Sequence, residues 1–299
     1  MLQNTIRQKI SKRSVPLLVY PCLLFCWLLS LGPDLAVSNF YQQIQIALTM
    51  VFGSFIAGGT ALGGGAVAFP VMTKVLSVEP STAKVFSLGI QSFGMVAATL
   101  TILFFKIRFY HRVVYSALLG AIPGVIVSLT LLGDLLPRLA IKSLFSVLLI
   151  LFAVTLIKQL RVGIQSHLTE SSTDYQYIPL VGFIGGLASG LVGSGADIFI
   201  FAYLVLMLKK DIKVATATSV IIMAITSVVG TITNMLVLDT LTPEIQLMVH
   251  AAIPVVILGA PLGALVCAKL PERGVVNMLL LLIALETGFT AYECVRLYL

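Results

Sequence analysis

Seven apolar stretches of membrane-spanning length dominate the sequence, near 15–32, 85–105, 113–133, 140–157, 214–238, 246–267 and 275–292. About 20 residues of helix cross about 30 Å of hydrocarbon. Composition agrees: 59% of the residues are hydrophobic and only 10% charged, where a soluble domain carries about 25% charged residues. So few charges could not cover this much apolar surface in water, so the chain lies mostly in lipid. A cytoplasmic enzyme, a disordered tail and a disulfide-stapled secreted module are thereby excluded. Cys22, Cys26, Cys267 and Cys294 are scattered through apolar segments without CxxC spacing, so they read as small buried hydrophobes, with no metal site.

Two further apolar regions, 44–76 and 179–208, are interrupted at their centres by Leu62-Gly63-Gly64-Gly65 and Val192-Gly193-Ser194-Gly195. Glycine clusters there stop, turn and restart the helix, because glycine tolerates backbone angles closed to other residues. The two halves resemble one another. Gly63-x-Gly65-Ala66 pairs with Gly193-x-Gly195-Ala196, and Ala83-x-x-x-Ser87 with Ala215-x-x-x-Ser219. Ala121-Ile122-Pro123 pairs with Ala252-Ile253-Pro254, and Leu136-Pro137 with Leu270-Pro271. This is an internal repeat. The expected organisation is a basic N-terminus with an extra helix over 1–43, a first repeat over 44–161, a cytoplasmic linker over 162–177 and a second repeat over 178–299. Each repeat is a glycine-broken hairpin followed by three transmembrane helices. The fold class is therefore an all-α membrane protein.

Charge sets the orientation. With the N-terminus inside and each broken region entering and leaving on one side, 14 of the 19 Lys and Arg fall on inside segments. The outside loops 33–43 and 239–245 carry none. Basic loops stay cytoplasmic, so the N-terminus is cytoplasmic and the second repeat is inverted relative to the first. The net charge of +7 reflects these loops, and no nucleic-acid partner is implied. Residues 1–38 also have the ordering of a signal peptide, ending in Ala36-Val37-Ser38. Their apolar core is longer than usual for one, which favours a retained helix.

Inverted repeats with broken helices place substrate near the bilayer midplane, where half-helices end. The second half-helices, 66–76 and 196–208, would point their N-termini toward one another there. A helix N-terminus offers unpaired N–H groups and about half a positive charge, so two facing each other suit one small anion. Residues 44–62 are long enough for a full crossing, which sets the first break deeper than the midplane. The candidate substrate-binding residues are Gly63, Gly64, Gly65, Gly193, Ser194 and Gly195, with Ser87, Gln91, Thr218, Ser219 and Asn234 lining the cavity. Close helix packing is the competing explanation for the glycines.

Two carboxylates fall inside spans, Asp197 and Glu286, and ionisable groups at that depth are costly and functional by default. They are the candidates for proton coupling. Asp197 also suits the first turn of a helix, where an acid complements the dipole. A cation carrier using Asp197 and Glu286 is the alternative. Enzyme chemistry has little support. Gly193-Ser194-Gly195-Ala196-Asp197 departs by one residue from the GxGD of intramembrane aspartyl proteases, and a Ser189–His250 pair has nothing to orient the imidazole.

Gly58-Gly59, Gly63-Gly64-Gly65, Pro70, Ala83 and Ser87, echoed by Gly193-x-Gly195, Ala215 and Ser219, resemble the sulfite exporter TauE/SafE family over about residues 44–295. The resemblance implies a multi-pass transporter of sulfite, organosulfonate or related sulfur-containing anions, with no bound cofactor. Ser194 stands where the first repeat has its middle glycine, no proline matches Pro70, and Asp197 adds a charge. The expected partners are a small anion and the lipid bilayer, in the plasma (bacterial inner) membrane, with self-association left open.

Overall fold

A computed structural model describes residues 19–60, 63, 68–69, 71–132 and 175–271, with scattered positions between 146 and 157 and between 273 and 288. Among these residues every regular element is helical. Helix α1 (Val19–Ser30) turns by 93° into α2 (Pro33–Gln42). The turn is made at Gly32, with φ 83°, and Pro33 starts α2, where its missing N–H costs nothing. Then follow α3 (Ile44–Gly59), α4 (Pro80–Phe104), α5 (His111–Leu132), α6 (Ile178–Val192), α7 (Ala196–Met207), α8 (Ile212–Leu236) and α9 (Pro243–Lys269). Helix α2 falls where the loop 33–43 was expected.

Helices α4, α5, α8 and α9 are long and apolar enough to cross a membrane, and the bent pair α1–α2 makes a fifth candidate. This is a membrane protein. Its outer surface suits lipid: Phe52, Tyr115, Leu119 and Leu236 are each at least 73% exposed. Helices α3 and α6 are shorter, with 16 and 15 residues, or about 22–24 Å each at 1.5 Å per residue. Helix α3 stops at Gly59 and Thr60 is extended, so α3 is shorter than the 44–62 run yet still longer than half of a hydrocarbon layer about 30 Å thick.

The halves share backbone detail at the spacing of the sequence repeat. Positive φ values come in pairs: Gly63 (63°) with Gly193 (85°), Ser77 (56°) with Lys209 (49°), and Lys106 (52°) with Asp239 (50°). Two π-helical turns, Val71–Val75 and Tyr203–Met207, also match. Each is closed the same way. Val78 N–H donates to Met72 O at 2.8 Å, and Lys210 N–H to Leu204 O at 2.9 Å. The residues before α4 and α8, Glu79 and Asp211, have nearly the same angles. At Asp211 the side chain also accepts from Val214 N–H at 3.0 Å.

Packing crosses between the halves. Helices α4 and α8 pack on each other at the centre, α3 packs on α9, and α6 packs on α5. Small residues allow the two outer pairs to approach closely. A Cβ on Gly120 would run into the carbonyl of Pro179, one on Gly182 into that of Ala117, and one on Gly263 into that of Phe55. The first helix of each broken hairpin is thus clasped by the opposite half, which brings both breaks to the middle of the molecule. On the other side, Trp27 and Tyr20 tie α1 to the bundle. Trp27 Nε1 donates to His250 O at 2.7 Å, and Tyr20 shares a hydrogen bond with Thr101.

Candidate functional site

The second break is closed by its own side chains. Helix α6 ends at Gly193 in the left-handed conformation, and Gly193 N–H donates to Ser189 O at 2.8 Å. Ser189 Oγ reaches across the break to accept from Ala196 N–H at 2.8 Å. Asp197 folds back over the start of α7. Its Oδ1 accepts from Gly195 N–H and Ile198 N–H, each at 3.0 Å, and Ser194 Oγ donates at 3.4 Å. Asp197 and Ser194 are both fully buried. The N–H groups expected to await an anion are therefore already taken, at Gly195, Ala196 and Ile198. The physical reason is local: an acid in the first helical turn satisfies the orphan donors that a substrate would otherwise use.

The first break meets the second at this acid. A Cβ placed on Gly63 would strike Asp197 Oδ2 and lie 3.0 Å from Gln91 Oε1 and 3.1 Å from Ser194 Oγ. Gly63 has φ 63°, so glycine is required there for its backbone and again for the space. From α4, Gln91 Nε2 donates to Gly193 O at 2.7 Å, to Ser87 O at 2.9 Å and to Ser87 Oγ at 2.9 Å. Gln91 is buried, and its Oε1 has no hydrogen-bond partner. Gly63, Ser87, Gln91, Gly193, Ser194, Gly195 and Asp197 thus form one buried cluster, built from three separate stretches of chain.

A cavity of about 790 Å³ opens on the loop side of the bundle. Lys106, Arg108, His111, Asp211 and Lys213 contribute charged and polar side chains, while Ile102, Leu103, Ala264 and Cys267 make its walls apolar. Its lining includes Gly58 and Gly59, the last two residues of α3 before the first break. Lys213 Nζ donates to Ala268 O at 3.2 Å, near the C-terminal end of α9, and Asp211 is engaged as a helix cap. The loops 106–111 and 211–213 share this one cavity and so lie at the same end of the molecule. Sequence reasoning used these lysines and arginines only for orientation. Their clustering in two loops was the signal for a basic mouth.

Other candidates are placed elsewhere. Ser219 Oγ donates to Thr216 O within its own helix. Thr218 accepts from Tyr110 N–H at 2.9 Å, fastening the α4–α5 loop to α8. Asn234 holds the end of α8, donating to Gly230 O and accepting from Thr240 Oγ1. None of these bonds reaches the cluster. Gly64, Gly65, Pro70 and Glu286 lie outside the described residues. The Ser189–His250 pair is not formed: Ser189 binds Ala196, while His250 stacks on Trp27 at 5.2 Å and meets Ser30 Oγ at 2.8 Å. Among the described residues no three His, Cys, Asp or Glu side chains are grouped to hold a metal ion.

Residues 46–288, running from α3 past both breaks, match the family model for the sulfite exporter TauE/SafE. The chain belongs to the TauE/SafE sulfite exporter family. Members are transporters, so this is a membrane transport protein, and the apolar helices agree with its place in a membrane. No curated protein and no solved structure matches the chain. The TauE/SafE match takes in the whole buried cluster and the basic cavity, while α1 and α2 lie before it.

Proposed function

We propose that this TauE/SafE protein carries sulfite or a related small sulfur-containing anion across the plasma membrane, with movement coupled to protons. The two halves then act as inverted repeats, with the N-terminus and the basic cavity on the cytoplasmic side. The observation that carries this reading is the meeting of the two breaks at one buried acid, Asp197, beside Gly63, Ser194 and Gln91. The basic cavity supplies the approach. Lys106, Arg108 and Lys213 raise the local concentration of anions at its mouth. Its inner wall includes the end of α3, next to the first break.

At the break, Asp197 and the substrate compete for the same donors. With its carboxylate on Gly195 and Ile198 N–H, the positive end of α7 is closed to a second anion. Neutralising that carboxylate frees the donors, which gives a direct reason for anion and proton to move together. Glu286 is a second candidate for the proton. The decisive measurement is radiolabelled sulfite flux in sealed proteoliposomes under an imposed pH gradient. Accumulation above protein-free vesicles is expected, and its absence under every gradient would remove the reading. The rival is a cation carrier, favoured by the carboxylate standing at the meeting point; sodium or calcium flux without anion would establish it.

A further inference from the structure

We propose that the point where the breaks meet is a binding site for one small monovalent cation, a proton or a sodium ion, held between Asp197 Oδ2 and Gln91 Oε1. The inference rests on the transport reading and names the atoms that hold its coupling ion. Gln91 is where the argument begins. Its Nε2 faces the carbonyl oxygens of Gly193 and Ser87 at 2.7 and 2.9 Å. Carbonyls only accept hydrogen bonds, so the carboxamide nitrogen must face them and its oxygen must point the other way. That oxygen is buried without a donor, which a folded interior disfavours.

The surface it faces is also made of oxygen. Asp197 spends Oδ1 on two backbone N–H groups, while Oδ2 has only the long contact from Ser194 Oγ at 3.4 Å. Oδ2, Gln91 Oε1 and Ser194 Oγ converge on the place that a side chain at 63 would fill. Of these, only the Ser194 hydroxyl can donate, and it is directed at Asp197, so no donor reaches Gln91 Oε1; a positive charge or a proton between Oδ2 and Oε1 removes that conflict. A proton on Oδ2 would donate to Oε1. A sodium ion would take the same oxygens as ligands. One carboxylate matches one positive charge, hence a monovalent ion. Among the described residues no second carboxylate lies on α4, α6, α7 or α8. Helix α6 has no titratable residue, α8 has only Lys213 in its first turn, α4 has only Lys84, and α7 adds only Tyr203. An anion at this point would face oxygens, so the substrate must use the N–H side of the same acid.

The full-length protein in proteoliposomes, with radiolabelled sulfite and either a pH or a sodium gradient, identifies the ion. One gradient is expected to drive accumulation, and Asp197→Asn and Gln91→Met should each cut that driven accumulation at least about tenfold. Purified protein gives a second readout that needs no flux. For a proton, infrared spectroscopy should show a protonated carboxylic acid band that is absent in Asp197→Asn and moved to higher frequency in Gln91→Met. For sodium, melting in sodium chloride should exceed that in potassium chloride, and both variants should abolish the difference. The proposal is overturned if Gln91→Met leaves the carboxyl band and the sodium effect unchanged, or if wild type shows neither. Should sulfite flux fail altogether, the transport reading falls, and the band and melting measurements still decide the site.

Discussion

Gly63 and Gly193 hold the same left-handed backbone, each lies ahead of a π turn, and each leads into a helix of 25 residues. The side chains around them differ. In the repeat alignment Asp197 falls opposite Val67, Ser194 opposite Gly64, and Gln91 opposite Met223. The duplicated backbone supplies a symmetric frame, and the ionisable chemistry sits at only one of its two breaks. Gln91 comes from the first half yet binds Gly193 of the second, and Gly63 of the first half makes room for Asp197 of the second. The single acid is therefore held by both halves, so a shift of one half against the other must change its surroundings.

The largest expected effect is all-or-none and tests whether the halves are opposed in the membrane. In a background without native cysteines, Arg108→Cys and Lys209→Cys should react with a charged maleimide from one side only, and Thr240→Cys only from the other. The first two positions belong to loops at the mouth of one cavity or beside it. Labelling of all three from one face would dissolve the inverted relation between the halves.

Next comes the pair of left-handed glycines. A non-glycine residue in that conformation costs about 1–2 kcal/mol, so both Gly63→Ala and Gly193→Ala should lower sulfite transport, by about tenfold or more. The two should differ in stability. At Gly193 the new methyl group meets Ser87 Cβ at 2.9 Å and Lys84 O at 3.1 Å, packed against α4. At Gly63 it enters the space among Asp197, Gln91 and Ser194. Gly193→Ala should lose melting temperature as well as transport, whereas Gly63→Ala should lose transport more than stability. Equal losses in both measurements would make the breaks chemically equivalent.

These contrasts show what the sequence made legible. The glycine clusters marked both breaks, and the spans 85–105, 113–133, 214–238 and 246–267 fall on α4, α5, α8 and α9. A long apolar run has only one way to satisfy its backbone in lipid, so those helices follow from composition. Helix α2 was missed because Ser38, Asn39, Gln42 and Gln43 dilute the apolar signal, while its position depends on a bend at Gly32 and on Asn39 donating to Leu247 O. The cluster was half legible. Asp197 stood out as a charge in an apolar run, but its capture of the α7 N–H groups depends on a side-chain fold-back that spacing does not show. Gln91 looked like one polar residue among several, and only its bond to a carbonyl a hundred positions away separates it from Ser219.

A smaller, graded effect concerns the basic mouth against the opposite loop 239–245, which has no Lys or Arg. Exposed charges steer by long-range attraction, and salt screens them with a Debye length of about 10 Å at 0.1 M. Replacing Lys106 and Arg108 together by Gln should raise the KM for sulfite about three- to tenfold at low ionic strength, with kcat little changed. The difference should shrink toward wild type in about 0.5 M salt. A loss of kcat with no salt dependence would move these residues from attraction to the transport step itself.

The smallest effect is predicted at Asn234, and it separates pore lining from helix termination. Asn234 lies two residues before the end of α8 at Leu236. Its Nδ2 donates to Gly230 O at 3.0 Å, its Oδ1 accepts from Thr240 Oγ1 at 2.9 Å, and its backbone oxygen accepts from Thr240 N–H at 3.0 Å. These bonds fix the turn in which Asp239 takes a positive φ. The corresponding turn of the first half, at Lys106, is preceded by Ile102 in the aligned place and has no such side-chain bond to rely on. A polar residue so placed stabilises a loop and has no partner in the buried cluster. Asn234→Ala removes the two side-chain bonds, each contributing about 0.5–1.5 kcal/mol net. A change near 1 kcal/mol shifts melting by about 2–4 °C in a domain of 150–250 residues. Melting should therefore fall by a few degrees while sulfite flux changes less than about twofold. A flux loss comparable to that of Gly63→Ala, with melting unaltered, would place Asn234 on the substrate path and extend the site to the far end of α8.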